Sequence, residues 1–189
     1  MVSNIPRLAQ LLMVICLSSA CIFPLAADQT DPRLDDLFVA LQDASSSNES
    51  VRIEQRIWAI WTLSGDQEVD ALMRQGIDAM NEGQLDVAIR LFGAATEKAP
   101  AFAEGWNKRA TVLFYAGYPD ESMHDIHKTL ALEPRHFGAI AGMGLIFMQR
   151  QDWVSALRAF EQVLKIHPSA QHARVHVEEL RKKLSAKGA

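Results

Sequence analysis

Apolar side chains recur along this chain three and four positions apart, the spacing of amphipathic helices and not of strands. The clearest run takes in Leu72, Gly76 and Ala79 and ends at Gly83, where glycine accepts the left-handed backbone that closes a helix. Asp86 then puts an acid in the first turn of a second helix. Its inward face is Ala88, Leu91, Phe92 and Ala95, and Pro100 ends it. The same two-helix pattern follows twice more. Trp106, Ala110 and Leu113 lead to Gly117, and Pro119 falls in a first helical turn, where its missing N–H costs nothing. Ile140, Gly144 and Phe147 lead to a turn at Gln151-Asp152, then to Trp153, Ala156, Leu157, Phe160 and Leu164. Upstream, residues 34–41 are amphipathic, Ser45, Ser46, Ser47 and Asn48 read as a polar loop, and residues 51–63 as a helix with Ile53, Ile57, Ile60 and Trp61 apolar. Downstream, residues 171–184 carry Ala173, Val177, Leu180 and Leu184 on one face and charges on the other, and residues 185–189 are expected to fray.

The three pairs share one period. Pro100, Pro134 and Pro168 stand 34 residues apart, and each forces its preceding residue out of the helical region. Gly76, Ala110 and Gly144 are in phase, as are Ala88, Ser122 and Ala156. Phe92, Ile126 and Phe160 form a large apolar column, and Leu72, Trp106 and Ile140 another. Five columns on one period mark an internal repeat. The predicted architecture is all-α, with three units at 69–102, 103–136 and 137–170, a helical hairpin at 28–68 before them and a capping helix and tail at 171–189. The small residues predict close helix crossings, with Gly76 set against Ala88. The upstream hairpin falls in phase with the period but lacks its signature residues, and Asp66 stands where a proline is expected. It reads as a degenerate hairpin capping the array, with a separate docking segment as the alternative.

These columns, a bulky residue, then small, Ala, an aromatic, Ala and a late proline, resemble the tetratricopeptide repeat (TPR) family over residues 69–170. The second unit departs most, with Ser122, Ile126 and Thr129 at positions where the family usually has Ala, an aromatic and Ala. The resemblance implies a right-handed α-solenoid of three helix hairpins whose first helices line a concave face. By register with the family that face comprises Met73, Ile77 and Met80, then Asn107, Thr111 and Phe114, then Ala141, Leu145 and Met148. It implies a scaffold that is no enzyme and binds an extended or helical segment of a protein or peptide partner there, methionine being suited to variable ligands. The basic clamp by which some relatives hold a C-terminal carboxylate is incomplete. Asn107 and Lys108 are present, but Met73 and Ile77 replace the Lys and Asn of the first unit. The alternative is a structural subunit, its trough covered by the chain's own ends, by a second copy in a homo-oligomer or in a cell-envelope assembly.

Charge and composition narrow the picture. The formal net charge of −4 offers no clustered basic surface for nucleic acid. Both cysteines, Cys16 and Cys21, lie in the first 27 residues, so the rest has no disulfide framework, cysteine nucleophile or thiolate metal site. Residues 1–27 read as an export signal: Arg7 is their only basic side chain, acids are absent, an apolar run spans 11–23, Pro24 breaks it, and Leu25-Ala26-Ala27 offers a cleavage site before Asp28. A mature chain starting there would be periplasmic, carry a net charge of about −5 and have no membrane span. Two alternatives stand beside cleavage: an uncleaved N-terminal membrane anchor, short against the roughly 20 residues of a bilayer span, and a lipid attached to Cys21 after Ser18-Ser19-Ala20.

The remaining chemistry is thin. His172 and His176 lie one helical turn apart but lack an HExxH glutamate, and His124 and His127 share a helix with Asp120 and Asp125 without a clearly spaced third ligand. A metal-dependent activity at the His172/His176 pair ranks third among the functional readings. Residues 138–144 hold a lone GxG with Phe147 at the last fingerprint position and no strand before it, so its glycines are read as allowing close helix contact. No serine sits in a nucleophile elbow. No cofactor, metal or catalytic residue is assigned.

Overall fold

The structure, a computed structural model, describes residues 28–187. Among them every regular element is a helix: α1 (Arg33–Asp43), α2 (Ser47–Trp61), α3 (Gln67–Asn81), α4 (Leu85–Lys98), α5 (Ala103–Tyr115), α6 (Pro119–Leu132), α7 (Phe137–Gln149), α8 (Trp153–Ile166) and α9 (Gln171–Lys187). The pairs α3–α4, α5–α6 and α7–α8 pack in succession as an α-solenoid, and α9 closes it against α8. The export signal and its alternatives fall on residues 1–27, outside the described residues.

Local chemistry sets the helix ends. Ser46 accepts from the Glu49 N–H at 3.2 Å while the Glu49 carboxylate accepts from the Ser45 N–H at 2.9 Å, so α2 starts inside the segment expected to be a loop. Asp66 caps α3 by accepting from the N–H groups of Glu68 and Val69 at 2.8 and 3.1 Å. Pro119 opens α6. The turn inside each unit needs one residue at positive φ, and the period places Gly83 (74°), Gly117 (85°) and Gln151 (59°) there. At the far end α9 runs on through residues 185–187, expected to fray, where Ser185 donates to the Lys182 carbonyl.

Within each unit the close crossing differs from the expected one. A Cβ on Gly76 would lie 2.5 Å from Phe92 Cε1, and one on Gly144 would lie 2.9 Å from Phe160 Cε2, so each glycine makes room for the aromatic ring of the next helix and not for Ala88 or its counterpart. In the second unit Ala110 takes the glycine's place, and the smaller Ile126 replaces the ring. The larger small residue and the smaller large one compensate one another. Ser122 and Thr129 are buried too, and donate to the carbonyls of Ala110 (2.7 Å) and Asp125 (3.0 Å).

The α1–α2 hairpin does not cap the array by stacking on α3. Its core residues Leu34, Phe38, Leu41, Ile57 and Trp61 join one cluster with Phe137, Ile140, Phe160 and Ala173, whereas the first unit forms its own cluster around Val69, Met73, Phe92 and Phe102. The period explains why. Val112 and Ile146 are fully buried on α5 and α7, but the matching position on α3 is the exposed Asp78, so the leading face of the first unit offers no apolar seat. The hairpin instead lies as a strap across the loops that join the units. Gln29 bonds the Ala101 carbonyl (2.6 Å) and the Ala103 N–H (3.0 Å), Arg135 pairs with Asp35 (2.6 Å), and Ser50 meets His167 (3.0 Å).

Candidate functional site

The first helices α5 and α7 border a pocket of about 170 Å³, with Ser122 and Ile126 of α6 behind it. Asn107, Thr111, Phe114, Ala141 and Leu145, five of the nine residues expected on the concave face, line it together. The other four lie elsewhere. Met73 is only 2% exposed, part of the first unit's core, which removes it from the groove. Ile77 and Met80 are half-buried against that same core, and Met148 against the cluster shared with the strap. The trough is therefore discontinuous, and its open part belongs to the second and third units.

The pocket also holds residues that register alone did not single out: Tyr115, Gly138, Ala139 and Gly142. The glycines of residues 138–144 have different tasks. Gly138 admits the indole of Trp58, whose Cη2 would be 2.8 Å from an added Cβ. Gly142 opens the pocket, and the nearest side-chain atom to a Cβ there would be Ile126 Cδ1 at 3.5 Å. Their spacing of one helical turn on α7, facing the turn that carries Asn107 and Thr111, was the signal available in the sequence.

Part of the pocket's polar lining is engaged within the protein. Asn107 Nδ2 donates to Glu104 at 2.8 Å, Thr111 Oγ1 donates to the Asn107 carbonyl at 2.9 Å, and Ser122 is bonded as described above. What faces a ligand is mainly apolar. Behind Asn107, Glu104 is fully buried and meets Lys108 Nζ at 3.2 Å and His136 Nε2 at 2.9 Å. Because His136 Nδ1 accepts from the Ala139 N–H (3.1 Å), the ring proton sits on Nε2 and is donated to Glu104. Burial pushes the Glu104 carboxyl upward, but the His136 hydrogen bond, the charge of Lys108 and the Asn107 hydrogen bond together hold it below its ordinary value. Asn107 and Lys108 thus serve an internal carboxylate, which completes the loss of the basic clamp already broken at Met73 and Ile77.

Two larger hollows, about 580 and 450 Å³, lie between successive second helices and repeat one another one period apart. Arg109 spans the first, donating to both oxygens of the buried Asp125 at 2.6 and 2.8 Å and to Thr96 at 3.1 Å, a brace between the first two units. That pairing takes Asp125 away from His124 and His127, and Asp120 pairs with Arg150. His176 stacks on Phe160 with centroids 4.5 Å apart. Among the described residues no group of three or more His, Cys, Asp or Glu side chains is arranged to hold a metal ion.

Comparison with known proteins agrees with this geometry. No family model matches the chain. A TPR repeat-containing protein of Rhizobium etli is 34% identical over 160 residues, spanning 85% of this chain and 78% of the relative. The first TPR of Spaghetti (RPAP3), solved bound to an HSP90 peptide, superposes with a TM-score of 0.61 at 20% identity, over 63% of this chain and 94% of its own. The Sgt2 TPR domain from Aspergillus fumigatus gives 0.61 at 22% identity, over 65% and 83%. The three hairpins, their shared period and the relationship to the Rhizobium protein place this chain in the tetratricopeptide repeat family.

Proposed function

We propose that this chain is a protein-binding scaffold with no chemistry of its own, and that it grips one large apolar side chain of a partner segment in the pocket between α5 and α7. The observation that carries the reading is the convergence of Phe114, Ala141, Leu145 and the open flank of Gly142 on one mainly apolar hollow, beside which Asn107 Nδ2 and Thr111 Oγ1 are engaged within the protein. A mainly apolar pocket with no charged lining residue rewards apolar burial and penalises an unpaired charge, at about 25 cal/mol per Å² of apolar surface covered. Fold neighbours solved with peptides support the general role. The partner segment would continue along the groove beside the exposed Tyr115.

The same proposal puts the scaffold outside the cytoplasm, on the export-signal features of residues 1–27. Among the described residues no helix is long and apolar enough to cross a membrane. The mass of the chain recovered from cells tests the cleavage: a start at Asp28 supports it, and an intact Met1 or a lipidated start at Cys21 overturns it.

For the groove, a photo-crosslinking side chain placed at Tyr115 in cells should yield an adduct, and one at the exposed Lys128 should not yield the same one. Gly142→Leu fills the hollow from α7, its Cβ in ordinary contact with Ile126, and should abolish the Tyr115 adduct. An adduct that survives Gly142→Leu unchanged would remove the pocket from the account.

A further inference from the structure

The strap's seat contains two buried histidines, His136 ahead of α7 and His167 after α8. His136 is satisfied on both nitrogens, faces Glu104 and Lys108 of α5, and stacks flat on Trp61 of α2 at 4.2 Å. His167 is placed differently. It is 4% exposed, its Nε2 lies 3.0 Å from Ser50 Oγ of α2, and its ring stacks on Phe137 of α7 at 5.5 Å. Its Nδ1 is buried with no hydrogen-bond partner among the described residues. The charged and titratable groups that face it are Glu54 of α2, 3.9 Å from Nε2, and His172 and Arg174 of α9.

A neutral imidazole suits this seat, because one nitrogen meets Ser50 and the other needs no proton. A second proton would create an N–H at Nδ1 with nothing to accept it, and the nearest carboxylate, Glu54, is beyond hydrogen-bond range. We infer that the α1–α2 strap is an acid-released latch: protonation of His167 undocks it from the third unit and bares the inter-unit loops together with the Gly138 end of the concave pocket. The first unit is built apart from the strap, whereas α7, α8 and α9 share a core cluster with it. The first unit's core contains no residue of α1 or α2, and only residues 62–66 tie the strap to α3.

The sign follows from the ring's surroundings. Burial holds the His167 imidazole below its ordinary value; Glu54 opposes this, and His172 and Arg174 add to it. An undocked ring titrates near the ordinary 6.5, so the docked form binds fewer protons. Docking is at full strength above that pH. Below it the docking constant falls by up to about tenfold per pH unit, until the docked ring titrates as well.

Hydrogen exchange on the full chain between pH 8 and 5, with times scaled for the chemical exchange rate, tests the latch. Amides of α2 should lose protection below about pH 6.5, while those of α4 and α6 keep theirs. His167→Gln, which cannot take a proton, should flatten the α2 profile. Glu54→Gln removes the carboxylate that favours the charged ring and should deepen the loss at pH 5. Any one of three results overturns the proposal: α2 protection that does not change with pH, α2 and α4 failing together, or His167→Gln keeping the wild-type drop. Should His167→Gln not fold, the Glu54→Gln profile decides, and no deepening counts against the latch.

Discussion

Gly76 lies under the ring of Phe92, where a Cβ would come within 2.5 Å of Cε1, and the same pairing recurs one period on between Gly144 and Phe160. Between them the second unit sets the larger Ala110 and the smaller Ile126 at the same two positions, both buried in one cluster. A fixed volume at the helix crossing, divided two ways, accounts for all three units.

Volume at that crossing is testable by exchange. Gly144→Ala should destabilise the fold by about 1–3 kcal/mol through overpacking against Phe160. Ile126→Phe alone should be penalised similarly, and adding Ala110→Gly should recover most of the loss. Denaturant unfolding of the four chains of that cycle measures the coupling, and simple additivity would contradict the shared-volume account.

Gln151 occupies the left-handed turn position that Gly83 and Gly117 fill in the other units. Gln151→Gly should stabilise the protein by about 0.5–1 kcal/mol, the relief of backbone strain exceeding the added freedom of the unfolded chain. Thermal or chemical denaturation shows the direction directly.

The three units were legible because each depends on local chemistry: prolines at one interval, turn residues at positive φ, and apolar columns in helical phase. The strap's location was not. The segment is in phase with the period, and only the contrast of Asp78 with the buried Val112 and Ile146 shows that α3 has no face for it. Met73 was misplaced for a related reason. Register alone puts it on the concave face, but the first unit folds this flexible side chain into its own core. Five of the residues expected on the concave face line one pocket, since α5 and α7 lie next to each other in the solenoid. Glu104 and His136, 32 positions apart in sequence, gave no pattern to read before the loops folded over them.

Glu104 should set part of the acid stability. Its carboxyl is held below the ordinary glutamate value, near 4.5, so its contribution is complete above that pH and is lost as pH falls toward the depressed value. Glu104→Gln turns an acceptor of two hydrogen bonds that also pairs with the Lys108 charge into a neutral group with its own N–H facing them, and should cost about 2–3 kcal/mol at neutral pH. Urea unfolding from pH 7 to 3 should show the gap between the two proteins closing below about 4.5. A constant gap would mean that the carboxylate charge contributes nothing.

Trp61 is buried between Phe38, Phe137 and the flat face of His136. Trp61→Ala should open a cavity worth about 3–5 kcal/mol at the strap's seat. Because the strap stands apart from the first unit's core, exchange should accelerate in α1 and α2 far more than in α3 and α4. Uniform acceleration would show that strap and array unfold as one.

The central claim is that an apolar side chain is received between α5 and α7. Selection of displayed random peptides on the wild-type chain, with counter-selection on Gly142→Leu, tests it most directly. The account predicts enriched peptides that share one large apolar residue and lose binding to Gly142→Leu. Peptides that bind both chains equally, or that share only a charged C-terminus, would contradict it.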